Sequence, residues 1–355
     1  MDITEMINHT AKWMEGKGPH SDLVFSSRIR LARNLQDFHF LARETSENTH
    51  ELWDKIVGAV QTTQSTKTFS VFNFQTLDDL DKQVLLERHL VSKEQVAKKG
   101  YRGVALSKDE RVSLMINEED HLRLQIILSG FQLEKAWQKV DKIDTDLGKK
   151  LPFAFSEEWG FLTACPTNVG TGMRASVMLH VPALVMVNQI EKVLNALNKL
   201  GLAIRGWYGE GSEAHGNLFQ ISNHTTLGLS ETEIISRIVI IVKQLIGHEK
   251  NARKRLLKKD RTFIQDRIGR AYGILKNVRI ISSQETLQHL STLRMGIEMN
   301  LISGLDVKVI NELFLLTQPA HIQKIVRKKL SVKARDEKRA EIITRIIGKE
   351  SFVLL

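Results

Sequence analysis

Five arginines and two glutamates stand where they could do chemistry. Ser26-Ser27-Arg28-Ile29-Arg30 spaces two arginines two apart, so an extended chain would present both on one face. Arg123 follows the acidic stretch Asn117-Glu118-Glu119-Asp120-His121. Arg174 follows a turn of small residues, Asn168-Val169-Gly170-Thr171-Gly172, and Arg205 opens Arg205-Gly206-Trp207-Tyr208-Gly209-Glu210. A guanidinium is always charged and grips phosphate oxygens through paired hydrogen bonds. Five of them could hold a triphosphate and stabilise a transferring phosphoryl group without a glycine-rich phosphate loop. Taken singly, each reads better as a surface ion pair; the phosphate reading rests on all five standing beside glycine turns or acidic clusters. Glu119 and Glu210, at the ends of expected strands, supply the complementary half. A guanidinium substrate keeps its proton up to a pKa above ~12 and is a poor nucleophile. It needs a carboxylate to orient it and accept its proton. The competing reading of Glu119 is an acid capping a helix N-terminus.

Missing motifs narrow the field. There is no G-x-x-x-x-G-K-S/T loop, the stretch Gly209–Gly216 is not G-x-G-x-x-G, and neither H-R-D nor D-F-G occurs. The 12 histidines lack metal-ligand spacing around the one cysteine, Cys165, so no metal site is expected on the protein itself. A single cysteine excludes a disulfide within the chain and suits a reducing, cytoplasmic compartment. The first residues have no apolar signal region, and no run approaches the ~20 apolar residues of a membrane helix. A net charge of +10 fits an enzyme that gathers phosphates as well as a nucleic-acid binder. No nucleic-acid motif is present, and an aromatic fraction of 6% offers little for base stacking.

The elements that must position these residues change character along the chain. Segments 103–107 and 111–120 read as neighbouring strands joined by a turn at Lys108 to Glu110, and 160–167, 174–181, 202–209 and 217–223 as further strands. Residues 182–201 read as one helix between Pro182 and Gly201. Hairpin-like spacing points to a largely antiparallel sheet covered by helices. From about 229 the pattern is helical, beginning with one long helix over 230–260 opened by a Ser230/Glu233 capping box. Further helical periods lie near 262–275, 285–300, 305–317 and 333–347. The expected organisation is α+β: an N-terminal extension 1–20, a catalytic domain 21–250 and an all-helical C-terminal domain 251–355.

Four segments, SSRIRLARN (26–34), MINEEDHLR (115–123), CPTNVGTGMRASV (165–177) and RGWYGEGSEAHGNLFQISN (205–223), resemble the phosphagen (guanidino) kinase family in sequence and order. The resemblance covers roughly 21–250. It implies an antiparallel sheet flanked by helices, similar to the catalytic domain of glutamine synthetase, and ATP with Mg2+ as cofactors. It implies an ATP site spanning Ser26, Ser27, Arg28, Ile29 and Arg30, His89, Arg123, Arg174, Ala175, Ser176, Val177 and Met178, and Arg205, Gly206, Trp207, Tyr208, Gly209 and Glu210. Glu119 and Glu210 are implied to hold the guanidinium, with Cys165 beside it.

Departures from that pattern have meaning. Small-molecule guanidino kinases carry a helical domain before the S-x-R-I-R segment, which begins here at Ser26; Tyr208 stands for an arginine and Met178 for a histidine. These features, with a helical domain after the core, resemble the bacterial protein arginine kinase branch. Arg335-Asp336-Glu337-Lys338-Arg339-Ala340 matches that branch's R-D-x-x-R-A motif, which implies allosteric phosphoarginine binding by Arg335, Asp336, Arg339 and Ala340; a solvated helix face is the plainer reading. The branch further implies protein substrates bearing arginine, a small zinc-binding activator protein, an ATP-dependent protease, a stress-response repressor as target, and a homodimer. Two alternatives stand beside this: a small-molecule guanidino kinase, and a catalytically silent regulatory protein.

Overall fold

The computed structural model describes residues 2–207 and 215–354. In chain order the strands are β1 (Val24–Arg33), β2 (Ser70–Asn73), β3 (Gly103–Leu106), β4 (Val112–Ile116), β5 (Leu122–Ser129), β6 (Phe155–Ser156), β7 (Gly160–Phe161), β8 (Met173–His180), β9 (Leu202–Arg205), β10 (Leu218–Asn223), β11 (Ile302–Ser303) and β12 (Val353–Leu354). One eight-stranded sheet runs β2-β3-β4-β5-β1-β8-β10-β9, with antiparallel neighbours. This is the sheet expected from hairpin spacing.

The helices are α1 (Ile3–Ile7), α2 (Ser46–Thr62), α3 (Asp79–Glu87), α4 (Lys93–Ala97), α5 (Leu133–Gly148), α6 (Pro182–Met186), α7 (Ile190–Lys199), α8 (Glu231–Asn277), α9 (Ser283–Glu298), α10 (Val307–Leu316), α11 (Pro319–Val326) and α12 (Val332–Ile347). The central strand β1 explains the layering. Its alternation sends Ile29 and Leu31 to one face, into a core with Val177, Leu124 and Ile126 under α2, α5 and the first half of α8. Each fully buried Leu or Ile contributes roughly 1.5–3 kcal/mol. That surplus lets the opposite face keep several like charges together.

Two expected elements differ in detail, and a third agrees. The helix over 182–201 is two helices, because Asn188 adopts a left-handed backbone (φ 53) between them. The strand over 160–167 is limited to β7; a 3-10 turn over Pro166–Asn168 follows Cys165. The long helix opens with the expected Ser230/Glu233 box, and the expected end near 260 and new helical segment from about 262 correspond to a break within α8, which runs on to Asn277. At Asp260 it leaves helical geometry (φ −161, ψ 87), and the Asp260 carboxylate accepts from Phe263 N at 2.9 Å, capping a new helical start.

The second half of α8 with α9, α10 and α12 encloses another apolar core, with Ile264, Ile268, Leu290, Phe314 and Ile343 fully buried. Trp13, Phe25, Ile127, Met178 and Trp207 join it from elsewhere in the chain. A buried ionic network ties the helices to the end of β8. Glu298 pairs with Arg253 (2.9 Å) and Arg294 (3.0 Å), and Arg253 also grips Glu249 (2.9 Å); His180, which burial lowers to about 4 and so keeps neutral, lies 3.5 Å from Glu298 and bonds the Ser291 hydroxyl of α9 at 2.8 Å. Glu249 in turn accepts from Ala183 N and Leu184 N at the start of α6.

Candidate active site

Register gathers the arginines. Arg30 of β1 lies opposite Arg174 of β8, Arg28 opposite Ser176, and Ala32 opposite Arg123 of β5. Arg205 of β9 lies opposite Gln220 of β10, itself opposite Met178. Directly paired residues share a face of the sheet, so these four strands deliver all five arginines to the side away from the larger core. They line one cavity of about 520 Å3 with Glu119, Cys165 and His89. Gln220 holds the head of Arg28 (2.5 Å). Gly172 makes the approach to β8 possible: its φ is +63, and a Cβ there would meet Ala32 O and Arg33 Nη1 at 2.6 Å.

The same alternation sorts the expected nucleotide residues. Ser27, Ile29, Ala175 and Val177 turn to the opposite face; Ile29, Ala175 and Val177 are fully buried in its core, and the Ser27 hydroxyl donates to Gly130 O (2.8 Å). Their side chains therefore do not reach the cavity. Ser26, Ser176 and Met178 line a small recess at one end of it, with Trp13 and Trp207. The rings of Trp13 and Trp207 meet His89 edge-on, at 5.7 Å and 4.8 Å. Gly206 is buried beside Trp207. Tyr208, Gly209 and Glu210 lie outside the described residues.

The hairpin turn between β4 and β5 separates the two adjacent glutamates. Asn117 takes a left-handed conformation (φ 56) to make it. Glu118 is buried, grips Arg123 Nη1 with both oxygens (2.7 and 2.8 Å) and accepts from the Ser92 hydroxyl. Burial pushes its pKa up, but Arg123, Ser92 and the Glu119 amide outweigh this and hold it below the ordinary value. Glu119 faces the cavity. Burial and the charges of Asp120 and Glu118 raise its pKa, against Arg123 and Lys98. Glu119 thus does not cap a helix; it follows a strand. Asp120 joins its turn to the Cys165 loop: one oxygen accepts from Asn34 Nδ2 and Ala164 N, both at 2.7 Å. Cys165 Sγ sits 3.1 Å from the Thr167 hydroxyl.

The cavity repels its own cations. Burial and the neighbouring Arg123, Arg205 and Arg174 lower the pKa of Arg28 to about 10, and burial and the same cluster lower that of Arg30. Arg28 remains charged at neutral pH. Burial, then Arg28, lowers His89 to about 3, so its imidazole is neutral.

Trp13, Gln220 and Asp120 were not singled out from the sequence. Gln220 and Asp120 sit inside the quoted segments, where spacing could have flagged them; Trp13 is remote and gives no local signal.

Residues 51–252 match the family described as ATP:guanido phosphotransferase, C-terminal catalytic domain. Residues 261–351 match the protein-arginine kinase McsB C-terminal domain. The protein-arginine kinase of Halothermothrix orenii is 45% identical over 97% of this chain and 98% of its own length. That of Bacillus subtilis is 43% identical over 94% and 92%. The chain belongs to the ATP:guanido phosphotransferases, in the protein-arginine kinase family. Among solved structures, a duplicated taurocyamine kinase from Schistosoma mansoni with bound transition-state-analogue components superposes with a TM-score of 0.60 at 26% identity, over 66% of this chain and 34% of that one. Lombricine kinase gives 0.58 at 23%, over 66% and 68%, and speaks for the fold alone.

In this member of the protein-arginine kinase family the R-D-x-x-R-A segment lies on α12. Arg335 and Asp336 are half-buried and Ala340 is buried. Arg339 is buried, donates to Thr317 O (2.8 Å) and Ile281 O (2.9 Å), and pairs with Asp336. Through Nε and Nη1, Arg339 ties α12 to the backbone of its neighbours.

Proposed function

We propose that the cavity binds ATP and transfers its γ-phosphoryl group to an arginine side chain presented by a protein. The observation that carries the reading is the convergence of five arginines from four strands on one cavity that also exposes Glu119 and Cys165. Arg28, Arg30, Arg123, Arg174 and Arg205 hold the phosphates, Glu118 fixing Arg123 in place. The recess beside His89 takes the base. Buried Nε1 of Trp13 and Trp207 and Nε2 of Gln220 have no hydrogen-bond partner among the described residues, which fits a polar ligand there.

Glu119, with Glu210, orients the guanidinium, and Cys165 flanks it. The guanidinium nitrogen attacks the γ-phosphorus and the bond to the β,γ-bridging oxygen breaks. The nitrogen's proton passes to Glu119, and ADP and phosphoarginine leave. Among the described residues no group of three or more His, Cys, Asp or Glu is placed to hold a metal ion. Mg2+ binds largely through phosphates and water; held by the nucleotide, it would supply neutralisation of the phosphate charge.

Incubation with ATP and either an unfolded protein or free arginine tests the substrate class. Phosphoarginine detected in the protein by mass spectrometry under non-acidic conditions is expected; phosphorylation of free arginine alone would favour the small-molecule alternative. Among the described residues no helix is long and apolar enough to cross a membrane. We place the enzyme in the cytoplasm, as a homodimer, marking proteins for an ATP-dependent protease under stress. A zinc-binding activator and a stress-response repressor are its partners. Phosphoarginine acts as an allosteric ligand around Arg335, Asp336, Arg339 and Ala340. Calorimetry with free phosphoarginine, against Asp336→Ala, tests that last assignment; equal binding by both proteins would remove it.

A further inference from the structure

A second groove, of about 840 Å3, opens beside the arginine cavity. The two share Leu86, Lys93 and Lys98, so they adjoin. The groove is formed by α3, α4 and the turns that follow them, next to β2 at the edge of the sheet. Four lysines line it, Lys82, Lys93, Lys98 and Lys99, against one acid, Asp79. Phe74, Leu86 and Val96 give it an apolar floor. Asp79, itself exposed, pairs with Lys82 at 3.2 Å, so the lining keeps three lysines in excess.

Its position distinguishes the ends of the catalytic cavity. Lys98 Nζ lies 3.4 Å from Glu118 O, and its charge acts on Glu119. The groove therefore opens at the carboxylate end, not at the recess lined by Trp13 and Met178. We propose that it seats the polypeptide flanking the target arginine and favours segments with acidic residues near that arginine. This rests on the protein-kinase reading above.

The chemistry suits that occupant. A free guanidine fills only the cavity, whereas an arginine in a protein brings a chain that must lie somewhere. An extended chain advances about 3.3 Å per residue and turns alternate side chains to one side, so acids spaced by two can face the lysines together. Lysine, a point charge on a flexible stem, accepts carboxylates in many poses. That gives a charge preference without a strict motif. Exposed ion pairs are individually weak, so the preference should be graded.

Kinetics with the full-length protein and three synthetic peptides test it, each with one arginine flanked by acidic, neutral or basic residues. The acid-flanked peptide is expected to show a kcat/KM about three- to tenfold above the neutral one, as two or three exposed pairs would supply, and the difference should shrink with salt. Lys82→Glu/Lys99→Glu, altering residues that line the groove but not the catalytic cavity, should abolish or invert the preference. The KM for ATP and the rate on the neutral peptide should hold. Equal kcat/KM for all three peptides with the wild-type protein would overturn the proposal while the kinase reading stands. A raised KM for ATP in the variant would also overturn it, showing that the groove serves the nucleotide. Failure to phosphorylate any peptide or protein would remove the kinase reading and this inference with it.

Discussion

At the scale of single residues, the division of labour between Glu118 and Glu119 is the main lesson. Sequence offered two adjacent acids, and the family resemblance indicated the second. The turn gives the physical reason: Glu118 is consumed by Arg123 and Ser92, while Glu119 reaches the cavity with a raised pKa. Glu119→Gln should cut kcat by about 10²–10⁴-fold, the usual worth of a positioned base, with ATP affinity nearly unchanged by calorimetry. A base works deprotonated, and a raised pKa delays deprotonation. The acid limb of kcat/KM should therefore lie above the ordinary Glu value of about 4.3, and it should vanish from the residual activity of Glu119→Gln. Arg174→Lys and Arg205→Lys should each slow transfer or weaken ATP binding, since lysine lacks the planar fork; full activity in both would contradict the phosphate clamp. The alternation of β1 and β8 was legible for the arginines, but the resemblance carried Ile29, Ala175 and Val177 along as neighbours, and period-two geometry turns those side chains away.

Among elements, β3, β4, β8, β9 and β10 were readable from local runs and turn residues, whereas β2 and β5, the strand that carries Arg123, were not read. Helices α2 and α5 were not read, and α5 begins at Gln132 with no side-chain cap to announce it. The α6–α7 break depends on one left-handed Asn188, which a helical period does not reveal. The junction between the β4–β5 turn and the Cys165 loop was also invisible, since Asp120 and Ala164 are distant in sequence. Asp120 positions Glu119 and Cys165 relative to each other. Asp120→Ala should lower kcat with little change in the KM for ATP, whose arginines sit on other attachments. An equal loss of ATP affinity and turnover would mean general disruption instead.

For the whole molecule, the packing of Trp13, Met178 and Trp207 with the C-terminal helices rests on contacts between distant segments, which no local pattern encodes. The network around Glu298 holds the helices to β8. Burial works against its charge, but Arg294, His180 and Arg253 win, so its pKa is lowered. A depressed carboxylate pKa stabilises the fold above the unfolded value and loses that contribution as pH falls through the folded one. Glu298→Ala should leave Arg253 and Arg294 buried with one partner fewer and lower stability by about 3–5 kcal/mol, seen in urea unfolding at neutral pH. The penalty should narrow in acid, where the wild-type protein also loses the pair.

The crowding of guanidinium groups in one cavity makes small inorganic anions relevant to the enzyme. Before nucleotide arrives, counter-ions from the buffer should gather there, and ATP must displace them. Apparent ATP affinity should then depend on which anion accompanies the salt as well as on ionic strength. Sulfate or phosphate should compete more than chloride at equal ionic strength. Nucleotide constants measured in different buffers would differ even with an unchanged protein, and the dependence should weaken when one of the arginines is neutralised.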